Sequence, residues 1–317
     1  MRILFLLLSI CILSVPVQAD DNENQPAWQW STEKINATVN KIRAGQDLQP
    51  AQWPDGNRIA VLFSFDADNE TNTLSRGGTP DPLLLSMEQY GARKGLQRIL
   101  ALLDRHEVPA TFFIPAVSLQ LAPEMAGLIK QSGRHEFAVH GWIHASVTGM
   151  TREQEKNIIR KSRDYLESRT GERPVGYRAP FGVYSENTHS ILEELGFLYD
   201  SGLAADDSPH ALTVDGEPIQ LIELPGNVNF EDSVLDPMNT FTAGLVTPGD
   251  LLQTFKDGFD ILYEEGTMML FILHPHISGR ASRIGIYDKL IKYMKQHEGV
   301  WFATHRQAAE YVSALQK

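Results

Sequence analysis

Cysteine is almost missing from these 317 residues, with Cys11 the only example. It lies in an N-terminal stretch of Met1-Arg2, an apolar run from Ile3 to Leu13, and then Val17-Gln18-Ala19. That stretch has the basic start, short apolar middle and small-residue end of a secretory signal peptide. Cleavage after Ala19 leaves a chain with no thiol and no disulfide, so its core alone must hold it together. Positive charge is scarce too. The 28 Lys and Arg face 40 Asp and Glu, a formal net charge of −12, which argues against nucleic acid or an anionic lipid surface as partner. Long apolar runs are missing beyond the leader, and the leader's own run is shorter than the ~20 residues that span a bilayer. No transmembrane segment is therefore expected after signal cleavage, and a periplasmic or secreted protein is.

The full sequence is 42% hydrophobic and 21% charged, a composition suited to a globular core. The chain divides into a signal peptide (1–19), an N-terminal arm (20–54) carrying Trp28, Trp30, Ile35 and Val39, and one large domain (55–317). The domain is organised around Arg58 to Asp68, a nearly unbroken apolar run ending in two carboxylates. The run reads as a buried parallel strand. In extended geometry Asp66 and Asp68 point to one side and Ala67 to the other. Two anions held together ask for a cation, a shared proton or a basic partner, unless both are solvated loop acids or a helix cap.

Past Asp68 a polar loop of more than fifteen residues runs to Pro82, and helices and strands then alternate. Strands are expected at 110–114, 136–140, 175–178, 197–200, 219–224, 267–274 and 300–304. Helices are expected over 95–106, 123–131, 151–169 (opened by the capping box Thr151 to Gln154), 187–195, 248–265, 284–296 and 307–315. This is an α/β pattern of seven or eight strands, the signature of a (β/α)7-8 barrel rather than an open sheet. Asp66, Asp68, His140, Arg178, Asp200 and His274 all fall at C-terminal strand ends, the face on which such barrels place their chemistry.

His140-Gly141-Trp142-Ile143-His144 puts two imidazoles four apart. On a helix they would share a face, and at a strand exit they would converge after a turn. A lone histidine beside an apolar strand is usually a satisfied core residue. This pair, taken with the Asp66/Asp68 tip, reads instead as two nitrogens and a carboxylate, a three-ligand set for a divalent ion such as zinc with positions open for water and substrate.

In order along the chain, Phe63-Ser64-Phe65-Asp66-Ala67-Asp68, Thr111-Phe112-Phe113, His140 to His144, Tyr177-Arg178-Ala179-Pro180-Phe181-Gly182, Tyr199-Asp200-Ser201 and Leu273-His274-Pro275 resemble the polysaccharide deacetylase family, of the NodB-homology or carbohydrate esterase 4 type. The resemblance covers about residues 55 to 312. It implies a distorted (β/α) barrel and a metal-dependent amidohydrolase. It also implies Asp66 as general base, Asp68, His140 and His144 as metal ligands, Arg178 as the arginine orienting the base, and His274 as general acid. An imidazolium acting as acid at neutral pH calls for a carboxylate beside it, and Asp200 is the expected one.

Two positions depart from the usual family pattern. Asp66-Ala67-Asp68 replaces two adjacent acids, and Asp200-Ser201-Gly202-Leu203 lacks a tryptophan. The spaced pair, with Ser75-Arg76-Gly77, Tyr90 to Gly95 and His274 to Arg283, is similar to a subgroup of peptidoglycan deacetylase-like proteins, cyclic imide hydrolases and allantoinase-like enzymes. Members of that subgroup tend to form homo-oligomers, and some have lost the metal. Two substrates stay open: an acetylated amino-sugar glycan, favoured by export, and a small cyclic amide or imide, favoured by the subgroup. A catalytically inactive glycan-binding module is disfavoured, because every acid, base and ligand position is filled. His276, Arg93 and Arg280 are further candidates for the pocket, Trp142 either stacks on a sugar or plugs the barrel mouth, and Trp301 belongs to the core.

Overall fold

Strand β2, Ile59–Asp66, is buried along its whole length, and its two faces lead to different places. Ile59, Val61, Phe63, Phe65 and Ala67 pack outward into the layer shared with the helices, whereas Ala60 and Leu62 pack inward with Trp53, Phe113, Tyr199, Leu224 and Leu270. Continuing the inward register gives Ser64, Asp66 and then Asp68, so the period of two converts an apolar lumen into a polar mouth along one strand. Strand β9 (Met268–Leu273) repeats this, with Met268 and Leu270 inward, Met269, Phe271 and Leu273 outward, and His274 at its end.

A computed structural model describes residues 25–226, 230–233 and 246–316; the segment expected to be a signal peptide (1–19) lies outside them, as does most of the loop before Thr247. The described residues up to Val39 form one unit, with helix α1 (Thr32–Val39) and the Lys34 ammonium 4.7 Å above the Trp30 ring. The second unit begins at Asn40. Its strands are β1 (Ile42–Asp47), β2, β3 (Thr111–Ile114), β4 (Glu136–Val139), β5 (Gly176–Tyr177), β6 (Tyr199–Asp200), β7 (His210–Val214), β8 (Glu217–Glu223), β9 and β10 (Val300–Ala303). They lie in the order β1-β7-β8-β6-β5-β4-β3-β2-β10, with β9 also paired to β2. From β8 to β2, and from β2 to β9 and β10, neighbours are parallel. Between β8 and β9 the described residues supply only a bridge from Glu231 to Ile272. The sheet is thus a curled, incompletely closed (β/α) barrel.

The helices of this unit are α2 (Thr71–Leu74), α3 (Pro82–Tyr90), α4 (Leu96–His106), α5 (Ala116–Leu121), α6 (Glu124–Lys130), α7 (Arg152–Thr170), α8 (Thr188–Glu194), α9 (Pro248–Glu265), α10 (Pro275–Ser278), α11 (Ile284–Met294) and α12 (His305–Leu315). Capping boxes open α7 (Thr151 with Gln154), α9 (Thr247 with Asp250) and α12 (Thr304 with Gln307), each satisfying backbone donors at both ends of the box. No helix among the described residues is long and apolar enough to cross a membrane.

Three segments differ from the sequence reading. The polar stretch after Asp68 contains α2, and α3 follows with Asp81 capping the Leu83 amide at 2.8 Å; a π-helical turn, Gly91–Gly95, then leads into α4. Strand β8 is preceded by another strand, β7, and the two form a hairpin about Asp215-Gly216, whose positive φ angles of 51° and 85° are those an Asp-Gly turn of this kind requires. Residues placed in the N-terminal arm supply β1, antiparallel to β7. Trp301, expected in the core, is only half-buried: it lies tilted against Trp53 and edge-on to Tyr311, packed against the inward cluster from its margin.

Candidate active site

Asp66 and Asp68 lie side by side at the tip of β2, each under 5% exposed. Arg178, one residue beyond β5, donates to Asp66 Oδ1 from Nη1 at 2.6 Å. The rest of its guanidinium is equally fixed: Nη1 to Ser64 Oγ at 2.8 Å, Nε to the Ser201 carbonyl at 2.7 Å and Nη2 to Ser201 Oγ at 3.0 Å, with the plane 3.9 Å from the Phe113 ring centre. Burial would raise the Asp66 pKa, but Arg178, His140 and His274 outweigh it and hold the carboxyl below its usual range. At Asp68 burial prevails, helped by the Asp66 charge, and pushes the pKa up despite His140, His274 and Arg178.

The two histidines converge through a turn, not a helix. Gly141 has φ 73°, and a Cβ there would sit 2.9 Å from Pro180 Cγ; His144 itself adopts φ 58°. A left-handed histidine costs on the order of 1 kcal/mol, a cost typical of functional loops. The first amides of α5 hold this turn, with Ala116 N bonded to Gly141 O at 3.1 Å and Val117 N to Trp142 O at 2.8 Å. His140 Nδ1 lies 2.8 Å from the Arg178 carbonyl. A carbonyl only accepts, so Nδ1 carries the proton and Nε2 presents a lone pair.

That lone pair is 3.6 Å from Asp68 Oδ1 and 3.7 Å from Asp66 Oδ2, and His144 Nε2 is 3.7 Å from Asp68 Oδ2. These separations are too long for hydrogen bonds, and Asp68 Oδ1 is buried with no hydrogen-bond partner among the described residues. Two atoms each about 2.1 Å from one ion at tetrahedral angles stand roughly 3.4 Å apart, so Asp68, His140 and His144 fit a divalent cation. Burial lowers the pKa of His140, and that of His144 to about 3, keeping both imidazoles in the neutral, ligating form.

Across from this set, His274 follows β9 with Nε2 3.8 Å from Asp68 Oδ2. Its carboxylate neighbour is Asp232, not Asp200: Asp232 Oδ1 lies 2.7 Å from Nδ1, and Oδ2 accepts the His274 amide at 2.9 Å. Burial would lower the imidazole pKa, yet Asp232, Asp68 and Asp66 raise it to about 10. Asp200 is corrected by the strand period. Tyr199 points into the lumen, where its hydroxyl bonds Glu136 at 2.8 Å, so Asp200 points the other way, toward α8, with His189 Nε2 3.2 Å from its Oδ2. Glu223 pairs with Asp200 across β6 and β8 and accepts the Gly202 and Leu203 amides at 2.9 and 3.0 Å. Asp200 therefore belongs to a polar layer behind the Arg178 wall.

Asp66, Asp68, His140, His144, Arg178 and His274 face a cavity of about 400 Å³, whose wall also includes Asn72, Arg76, Phe181, Glu231 and His276. Arg93 is exposed and outside that wall. Arg280 lies over the Tyr90 ring and bonds the His276 carbonyl at 2.9 Å. Trp142 also misses the cavity, meeting Tyr165 edge to face with Lys161 Nζ 3.5 Å above its ring.

The polysaccharide deacetylase profile matches residues 78–199. A peptidoglycan deacetylase of Helicobacter pylori is 30% identical over 284 residues, covering 80% of this chain and 95% of its own. The crystal structure of a Mycobacterium smegmatis protein assigned to the polysaccharide deacetylases superposes with a TM-score of 0.78 and 32% identity, over 86% of this chain and 96% of the other. An allantoinase structure superposes at 0.74 with 27% identity, over 86% and 98%. Similar across most of its length to proteins of this kind, the chain belongs to the polysaccharide deacetylase family and is an amidohydrolase.

Proposed function

We propose that this chain is an exported, metal-dependent N-deacetylase of amino sugars in a cell-wall glycan. The observation that carries the reading is the convergence on one cavity of an Asp-His-His donor set, an arginine-held carboxylate and a carboxylate-held imidazole. The Helicobacter relative's activity and the signal-like N-terminus support the glycan and a periplasmic or secreted location.

Asp68, His140 and His144 would hold the ion, with zinc favoured by two imidazole nitrogens and a carboxylate. When bound, it supplies Lewis-acid chemistry. Asp66, with Oδ1 tied to Arg178, accepts the proton of the attacking water at Oδ2. His274 carries the opposite proton inventory: its Nε2–H donates to the departing amine, and Asp232 keeps the ring charged and oriented. One cavity thus holds a base that is ionised and an acid that is protonated at the same pH, which hydrolysis of an amide needs.

The test is acetate release from N-acetylated chito-oligomers and peptidoglycan fragments by the purified mature protein, with metal content measured on the same sample. An ion-loaded protein that releases no acetate overturns the reading. A second reading, hydrolysis of a small cyclic amide, is favoured by the allantoinase similarity, and the same screen extended to cyclic imides decides it.

A further inference from the structure

Of the polar side chains of the cavity wall that have no part in the chemistry above, two bear on His274. His276 is buried and lines the cavity, yet no hydrogen bond reaches its ring among the described residues, and its Nδ1 is enclosed without a partner. It meets His274 edge to face, ring centres 5.8 Å apart. The two imidazoles are treated in opposite ways. Asp232 charges His274, whereas burial, reinforced by that neighbouring charge, pushes His276 down to about 3. His276 is thus a neutral ring with one donor and one acceptor nitrogen. Its backbone is pinned, because Gly91 packs so closely that a Cβ there would sit 3.3 Å from the His276 amide nitrogen and 3.4 Å from its Cβ.

Glu231 lines the same cavity within electrostatic reach of His274, held by the backbone bridge to Ile272. An acid catalyst needs a carboxylate at its back, which His276 lacks, and the ion is provided for by other residues. A buried polar group left without a protein partner is costly unless a ligand completes it. A neutral imidazole and a carboxyl group together offer donors and acceptors, the complement of sugar hydroxyls, which both donate and accept.

We propose that His276 and Glu231 form a hydroxyl-binding subsite holding the amino-sugar ring on the leaving-group side of His274. This rests on the deacetylase reading. Two measurements on the metal-loaded mature protein separate the two claims: kinetics on N-acetylated chito-oligomers, and calorimetric binding of the glucosamine trimer. In His276→Ala the KM and the trimer Kd each rise about five- to tenfold, kcat changes less than about threefold, and metal content is unchanged. His276→Gln recovers part of the affinity, and Glu231→Gln weakens the same two constants. Unchanged KM and Kd, a fall in kcat alone, or failure of the wild type to bind the trimer overturns the subsite. Trimer binding that weakens in the variants of a protein without deacetylase activity would overturn only the function.

Discussion

Asp232 grips His274 at two points, with Oδ1 2.7 Å from the ring Nδ1 and Oδ2 2.9 Å from the backbone N–H, while Ser278 donates its hydroxyl to the same Oδ2. One carboxylate therefore sets the ring's position, tautomer and charge. Without it, the burial that opposes the imidazolium would act against only Asp68 and Asp66.

For Asp232→Asn we expect the alkaline limb of the kcat profile to move to lower pH, so that activity falls more at about pH 9 than at about pH 6. The sign follows from His274 being the group that must stay protonated. A cation held by Asp68 lowers this limb in both proteins and leaves the direction of the difference unchanged. A limb that stays in place would show that another group donates the proton.

The mouth of the barrel was legible where the chemistry rides on a periodic element. The inward register Ala60, Leu62, Ser64, Asp66, Asp68 follows from one strand's alternation, and His140, Arg178 and His274 follow strands in the same way. Asp232 was hidden because it lies on no periodic element. Asp200 misled because its place at a strand end was readable but its face was not: that depended on Tyr199 bonding Glu136 inside the lumen. His276 looked like a loop residue beyond Pro275, whereas the single turn α10 buries it. Strand β1 escaped notice because its residues after Ile42 are exposed, so its sequence carries no burial pattern and backbone pairing with β7 places it.

Asp66 and Asp68 separate on substitution. Asp68→Asn lowers both metal occupancy and turnover, because an amide oxygen is a poorer ligand than a carboxylate, and added metal partly restores it. Asp66→Asn keeps the ion and loses turnover beyond rescue, since an amide cannot take the water's proton. Metal analysis beside kinetics checks both. Rescue of Asp66→Asn by metal would exchange the two roles.

Gly95 touches the segment that carries His274. A Cβ there would lie 2.0 Å from the Pro275 carbonyl oxygen and 2.7 Å from its carbon, both backbone atoms that cannot swing aside. Gly95→Ala is expected to cost about 1–3 kcal/mol and to lower kcat by displacing His274. Gly127→Ala, on the exposed face of α6 with open space around it, should gain up to about 1 kcal/mol. Denaturation midpoints of the two variants are the measurement, and equal shifts would contradict the packing argument.

Glu88 ties α3 to α2. It is 7% exposed, with Oε2 accepting the Thr73 amide at 3.1 Å and Oε1 the Thr73 hydroxyl at 2.8 Å, next to Asn72 on the cavity wall. Burial pushes its pKa from 4.5 up to about 7, against the two Thr73 hydrogen bonds and with the Asp68 charge adding to the rise. A carboxyl whose folded pKa is raised contributes stability that is fully present below its unfolded pKa and is lost as pH climbs through the folded one. The window therefore runs from about pH 4.5 to about 7. Glu88→Gln keeps an acceptor for Thr73 and removes the titration, so the urea midpoint of the wild type should fall more steeply across this window than that of the variant. Other buried carboxyls titrate in both proteins and cancel in the difference. Parallel midpoint curves would mean that Glu88 ionises in the folded chain as easily as in the unfolded one, and that burial does not hold its proton.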